Sequence, residues 1–169
     1  MKLWPVLADT GRAIPGQSSV SLLNAGWTAT VAVALPGGGW TVPQQALSIF
    51  IESPWDQLNR LHNLVIELVD DEGQPVYFMP GPDGGAPVVR IENQVIVAPV
   101  PGAPNGTPGL TTVLIDLPPG TLWIPAPRRR YVWRISVDGT SEEVGFWVQQ
   151  PLQQPVIGGT GGQAPDVAS

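Results

Sequence analysis

Histidine occurs once in this chain, as His62, and cysteine is absent. A serine nucleophile activated by histidine would have to use His62. No Gly-x-Ser-x-Gly elbow is present, however, and Ser53 reads as a helix cap. His62 is therefore expected to be structural, hydrogen-bonded near Asp56 or Asn59. One histidine without thiolates is a poor zinc set, and the lack of cysteine also removes iron–sulfur clusters and cysteine nucleophiles. Glycosidase chemistry needs only two carboxylates. Asp56, Glu67, Asp116, Glu142 and Glu143 are candidates, but spacing alone brings no two of them to the required separation. Asp70-Asp71-Glu72-Gly73 lacks the alternating oxygen ligands and distant bidentate glutamate of a calcium loop, and reads as a solvated turn. Gly37-Gly38-Gly39-Trp40 lacks the Lys-Ser/Thr and the following helix of a phosphate loop. No catalytic residue, metal or cofactor is assigned, and a non-enzymatic role is expected.

Tryptophan is the functional residue type in excess, with seven against three Phe and two Tyr. Trp133 and Trp27 are expected in a core. Trp147 alternates against Phe146 and Val148 and is expected to face outward. An exposed indole can stack on the apolar face of a sugar or anchor a protein interface. Arg128-Arg129-Arg130 is the one basic run, either solvated or paired with an acidic patch on a neighbour.

These side chains need a scaffold, and composition selects its class. Gly and Pro number 20 each among 169 residues, roughly twice the ordinary share, which argues against long-helix bundles. Hydrophobic residues are 43% and charged residues 13%, enough to build a core in one domain. The formal net charge of −6 repels a phosphate backbone, so nucleic acid is not an expected partner. The chain shows no apolar run of membrane-spanning length and no signal-peptide pattern at its start, so a soluble protein is expected.

Strand signals recur at 3–8, 19–23, 27–34, 46–51, 64–69, 76–79, 88–91, 94–98, 111–117, 131–137 and 144–148. They are rich in β-branched and aromatic residues and bounded by Gly, Pro, Asn and Asp. The expected fold is all-β: an antiparallel sandwich, immunoglobulin-like or jelly-roll-like, with about eight strands in two sheets and the rest as edges or ribbons. In residues 131–137, Tyr131, Trp133, Ile135 and Val137 share one face while Arg134 and Ser136 share the other. Asp138-Gly139 then supplies a tight hairpin turn. Ser53 and Asp56 have capping-box spacing with Pro54 at the first helical position, predicting a short helix between two strands. Residues 36–39, 80–87, 99–109 and 118–127 read as long surface loops. After Gln149 the sequence turns to Pro, Gly and Gln with little to bury, so residues 1–149 are read as the sandwich domain and residues 150–169 as an extended arm.

Pro54-Trp55-Asp56-x-x-Asn59-Arg60-x-His62, Leu64-x-Ile66-Glu67-Leu68, Asp71-Glu72-Gly73-Gln74-Pro75-Val76 and the Tyr131-Val132-Trp133 strand with its Asp138-Gly139 turn carry a resemblance. Over roughly residues 1–149 the chain resembles an uncharacterised family of small actinobacterial and actinobacteriophage β-sandwich proteins. That family has no assigned activity and transfers no catalytic residue. The chain departs from it in the 99–109 insert, the 128–130 run and the arm, which suggests a specialised setting such as a phage particle. The resulting expectation is a capsid decoration or minor virion protein, assembled in the host cytoplasm. It would dock on virion subunits through Arg128, Arg129, Arg130, Trp147, Gln150, Pro151, Leu152, Pro155, Val156 and Ile157. A homo-oligomer is a further expected partner arrangement. A carbohydrate-binding module recognising cell-surface glycan is the alternative, and a hydrolase has no positive support in the residues.

Overall fold

The computed structural model describes residues 1–14, 19–80 and 84–151; the arm residues Leu152, Pro155, Val156 and Ile157 lie outside the described residues. Fourteen strands are present among the described residues: β1 (Lys2–Ala8), β2 (Thr10–Ala13), β3 (Val20–Leu23), β4 (Ala29–Val31), β5 (Val33–Ala34), β6 (Trp40–Thr41), β7 (Gln45–Ser53), β8 (Leu61–Asp70), β9 (Tyr77–Phe78), β10 (Arg90–Ile96), β11 (Gly109–Leu117), β12 (Leu122–Trp123), β13 (Arg129–Val137) and β14 (Thr140–Gln149). Eight of them form two main sheets, ordered β1-β7-β11 and β10-β8-β13-β14-β4. The other six pair as the ribbons β2-β3, β5-β6 and β9-β12. The all-β sandwich is thus the fold of this chain.

Connectivity narrows the class further. Taken in chain order, the seven long strands place the first, second and fifth in one sheet and the fourth, third, sixth and seventh in the other. This is the Greek-key order of immunoglobulin-like sandwiches, with the fourth strand paired to the third instead of the fifth. Within the main sheets every strand pair is antiparallel except one: β4 runs parallel to β14, with Trp147 opposite Ala29 and Gln149 opposite Val31. Between β1 and β4 the chain therefore crosses from one sheet to the other. Tyr131, on the sixth long strand, donates its hydroxyl to the Ala126 carbonyl at 2.7 Å, the corner contact common in such sandwiches. Burial pushes its phenol up to about 12. Two residues on, where disulfide-linked members carry a cysteine, stands the fully buried Trp133.

Period-2 alternation explains the core. Leu47, Ile49 and Ile51 of β7 face Leu64, Ile66 and Leu68 of β8 and Tyr131, Trp133, Ile135 and Val137 of β13, all at most 1% exposed. Burying each such aliphatic side chain is worth about 1.5–3 kcal/mol. Pro5 lies in β1, an edge strand, where its missing N–H is tolerated. Asp138 and Gly139 have φ of 46° and 86°, as a two-residue type I′ hairpin requires, and Val137 pairs with Thr140 across it.

The predicted helix reduces to a single 3₁₀ turn, Trp55–Gln57, without a side-chain cap. Ser53 ends β7 and is buried with its hydroxyl unpartnered. Only seven residues separate β7 from β8, too few to leave a strand, form helical turns and enter the next strand. Residues 88–91 and 94–98, read as two strands, are mainly one continuous strand, β10. Residues 27–34 divide into β4 and β5. The loop expected at 118–127 contains β12.

Candidate interaction surfaces and the histidine clasp

His62 begins the core-facing alternation of β8 and is 2% exposed. Its Nδ1 lies 2.7 Å from Asp138 Oδ2 and its Nε2 lies 3.0 Å from the Gln57 carbonyl oxygen. The Asn63 amide donates to the other Asp138 oxygen at 2.8 Å. The bond from His62, then that from Asn63, hold the Asp138 carboxyl below the usual aspartate range. The expected partners Asp56 and Asn59 are not the ones used. Although a histidine beside a carboxylate is the outline of a catalytic pair, both ring nitrogens are engaged within the chain. The ring instead ties the 3₁₀ turn to the β13–β14 hairpin. Leu61 and Thr140 line the shallow depression of about 440 Å³ beside it, with Arg60 and Met1.

The five carboxylates considered for glycosidase chemistry are distributed over the outer surfaces. On the outer face of the five-stranded sheet, the register places Arg90, Glu67, Arg134 and Glu143 side by side. Arg90 binds Glu67 and Arg134 donates to Glu143 at 2.9 Å, so alternating charges satisfy one another across four strands. Glu67 and Glu143 are separated by an arginine, an arrangement unlike a general acid facing a base. Asp116 accepts from Gln44 at 3.3 Å, while Asp56 and Glu142 are exposed. Among the described residues no cluster of three His, Asp or Glu is placed to hold a metal ion.

Asp70 corrects the reading of a solvated turn. It is 6% exposed. Its Oδ1 accepts the Glu72 and Gln74 amides at 3.0 and 2.8 Å, and its Oδ2 accepts from Arg129 at 3.1 Å. Arg129 also pairs with Glu72 at 3.0 Å; Glu72, followed by Asp71 and Asp70, raises its pKa. Arg129 thus serves a turn of its own chain.

The start of β13 lies beside the end of β14, with Arg129 opposite Val148 and Arg130 opposite Trp147. This register brings the expected interaction residues Arg128, Arg130 and Trp147 to one end of the sandwich, where Gln150 and Pro151 leave β14. Trp147 is 53% exposed, as its alternation implied. Arg130 and Arg128 are also exposed, and Gln150 and Pro151 are half-buried. Gly145 has no side chain to keep the Arg130 guanidinium away: an added Cβ would stand 2.6 Å from Nη2. Arg128 adopts φ 64° and donates its amide to Val148.

The outer face of the three-stranded sheet differs in chemistry. Trp4 lies opposite Phe50, and Leu110 opposite Glu52, which Lys2 pairs at 2.9 Å. Nearer the other end of this face, Ala46 and Ser48 point outward yet are buried. The β2–β3 hairpin covers them: a Cβ on Gly11 would stand 2.5 Å from Leu114. Trp4 and Leu110 remain 44% and 43% exposed. Sequence reasoning missed this face because its signal is the register across three separated segments. Comparison with known protein families, with curated proteins and with solved structures finds no match to this chain.

Proposed function

We propose that this chain is a non-enzymatic interaction module, an immunoglobulin-like sandwich that docks on a larger protein assembly. A virion surface is the setting implied by the family resemblance. The observation that carries the reading is the half-exposed Trp147 flanked by Arg128 and Arg130 where the chain leaves β14. Tryptophan and arginine are the residue types that dominate binding hot spots, and a segment following directly from such an anchor adds contacts without a second diffusional encounter. Two variants test this, Trp147→Ala and a chain ending at Pro151, each measured for association with the assembled particle. A loss of about tenfold or more for Trp147→Ala is expected; unchanged association of both variants refutes the docking reading.

The exposure of Trp147 on a flat strand also favours a second reading, a saccharide platform. Saccharide-dependent quenching of tryptophan fluorescence that vanishes in Trp147→Ala supports it, and a silent glycan array removes it.

A further inference from the structure

Both partners of the buried His62 ring accept hydrogen bonds and neither donates. The group 3.0 Å from Nε2 is the Gln57 backbone carbonyl, and the group 2.7 Å from Nδ1 is a carboxylate oxygen of Asp138. Asp138 stays ionised, because the bond from His62, then that from Asn63, hold its carboxyl below the usual aspartate range. A neutral imidazole has one N–H and one lone pair, whereas the imidazolium has two N–H groups. The two bonds of the clasp therefore exist together only in the protonated ring. The elements packed around it bring Asp138 from the hairpin, Asp56 and Arg60 from the connection between β7 and β8, and the Met1 amino group from the chain before β1. β10 brings the uncharged Val95 opposite His62. Among these groups Asp138 alone bonds the ring, while Arg60 is turned to the Asp56 carbonyl.

We propose that the clasp is a proton-operated latch, in which the proton on His62 Nε2 ties the 3₁₀ turn to the β13–β14 hairpin. On deprotonation the ring keeps its remaining hydrogen on Nδ1, where a charged acceptor makes the stronger bond. The proton lost from Nε2 leaves to solvent through the depression that His62 lines. The Nε2 lone pair then opposes the Gln57 carbonyl oxygen, acceptor against acceptor, and the turn gives up this contact. The rest of the connection stays tied, since the Asn59 amide donates to the Val97 carbonyl at 3.0 Å and Leu58 packs on Gly109. Release is thus confined to Trp55–Gln57, which carries an indole 53% exposed. The latch governs how Trp55 is presented at the hairpin end of the sandwich, away from Trp147. This inference is independent of the docking role of Trp147.

Because His62 is the only histidine, its ring nitrogen signals are identified directly by nuclear magnetic resonance of the full chain. Across the titration of the ring, Nε2 should lose its hydrogen and Nδ1 should keep it. The Gln57 and Leu58 amides, which close the turn onto Pro54 and Trp55, should shift with the same midpoint. Asp138→Asn discriminates a latch from a passive contact. Asparagine tolerates the φ of 46°, and thermal melts verify the fold. Its amide donates to Nδ1 while its oxygen accepts from Asn63, so the neutral ring holds its hydrogen on Nε2 and keeps the Gln57 carbonyl. The tautomer should therefore invert in this variant, and the turn amides should no longer follow the ring. A neutral parent ring with its hydrogen on Nε2 overturns the proposal, as does the same tautomer in both proteins. Turn amides that stay fixed while the parent ring titrates overturn it also, as does a ring that loses no proton before the chain unfolds.

Discussion

Replacing Asp138 by glycine isolates the clasp between two loops that are distant in sequence. Glycine takes up the φ of 46° freely, so the hairpin turn survives while the carboxylate is lost. Two bonds go with it, to His62 at 2.7 Å and from the Asn63 amide at 2.8 Å. A hydrogen bond to a charged group is worth about 1.5–3 kcal/mol net. The Asp138 side chain is 44% exposed, so solvent screening places each bond at the low end of that range. The Asn63 amide is exposed, and loss of the carboxylate opens His62 Nδ1 to the depression that His62 and Asp138 line together, so water takes up both groups and the low end of the range applies. A loss of about 3 kcal/mol is expected, equivalent to roughly 6–12 °C in melting temperature for a domain of this size.

Urea unfolding followed by tryptophan fluorescence measures this loss, and its pH dependence supplies a second readout. The folded carboxyl is held below its unfolded value of about 4. Its stabilising contribution is therefore complete above that value and disappears as pH falls through the lower, folded one. Parent and Asp138→Gly should differ most near neutrality and converge in acid. A loss below about 1 kcal/mol, or a constant difference into acid, would refute the clasp as a coupled element.

Other expectations concern packing and the tyrosine corner. Tyr131→Phe leaves the Ala126 carbonyl without its donor and should lose about 1–2 kcal/mol at neutral pH. The parent's phenol, pushed up to about 12 from an unfolded value near 10, contributes stability that is complete below the lower value and lost as pH rises through the higher. Alkaline unfolding followed by circular dichroism should accordingly be shallower in the variant. Gly109→Ala and Gly145→Ala form a contrasting pair. The first Cβ would meet the Ala98 carbonyl oxygen at 2.5 Å, a backbone atom held in place, whereas the second meets only the movable Arg130 guanidinium at 2.6 Å. Thermal melts should show a loss above about 1 kcal/mol for Gly109→Ala and less than about 0.5 kcal/mol for Gly145→Ala; equal losses would contradict the steric account.

Local signals in the sequence led directly to local structure. The alternation of Tyr131, Trp133, Ile135 and Val137 and the Asp138-Gly139 pair specify β13, its turn and β14, because strand period and turn geometry are encoded in adjacent residues. What the sequence left open is non-local. His62 meets a carboxylate 76 positions away, and Arg129 meets Asp70 across 59 positions. Both contacts depend on β13 lying beside β8, which no short-range pattern specifies. Ser53 and Asp56 misled for a related reason: a capping pattern has meaning only where chain remains to form a helix, and β8 begins too soon. Trp4, Phe50 and Leu110 come from three strands and share a face only after β1, β7 and β11 align.

The single parallel pair in the main sheets has a mechanical consequence. β4 and β14 run in the same direction, linked by Trp147 N to the Thr28 carbonyl and Ala32 N to the Gln149 carbonyl, both at 2.8 Å. Tension between the chain entering β4 and the chain leaving β14 drags these strands lengthwise past each other. The cross-strand bonds then carry the load together, in shear, whereas an antiparallel hairpin pulled from its open end releases them one after another. An attached cargo or particle tugging on the residues after Pro151 would therefore pull against the tied edge of the sandwich, with β4 acting as its seam.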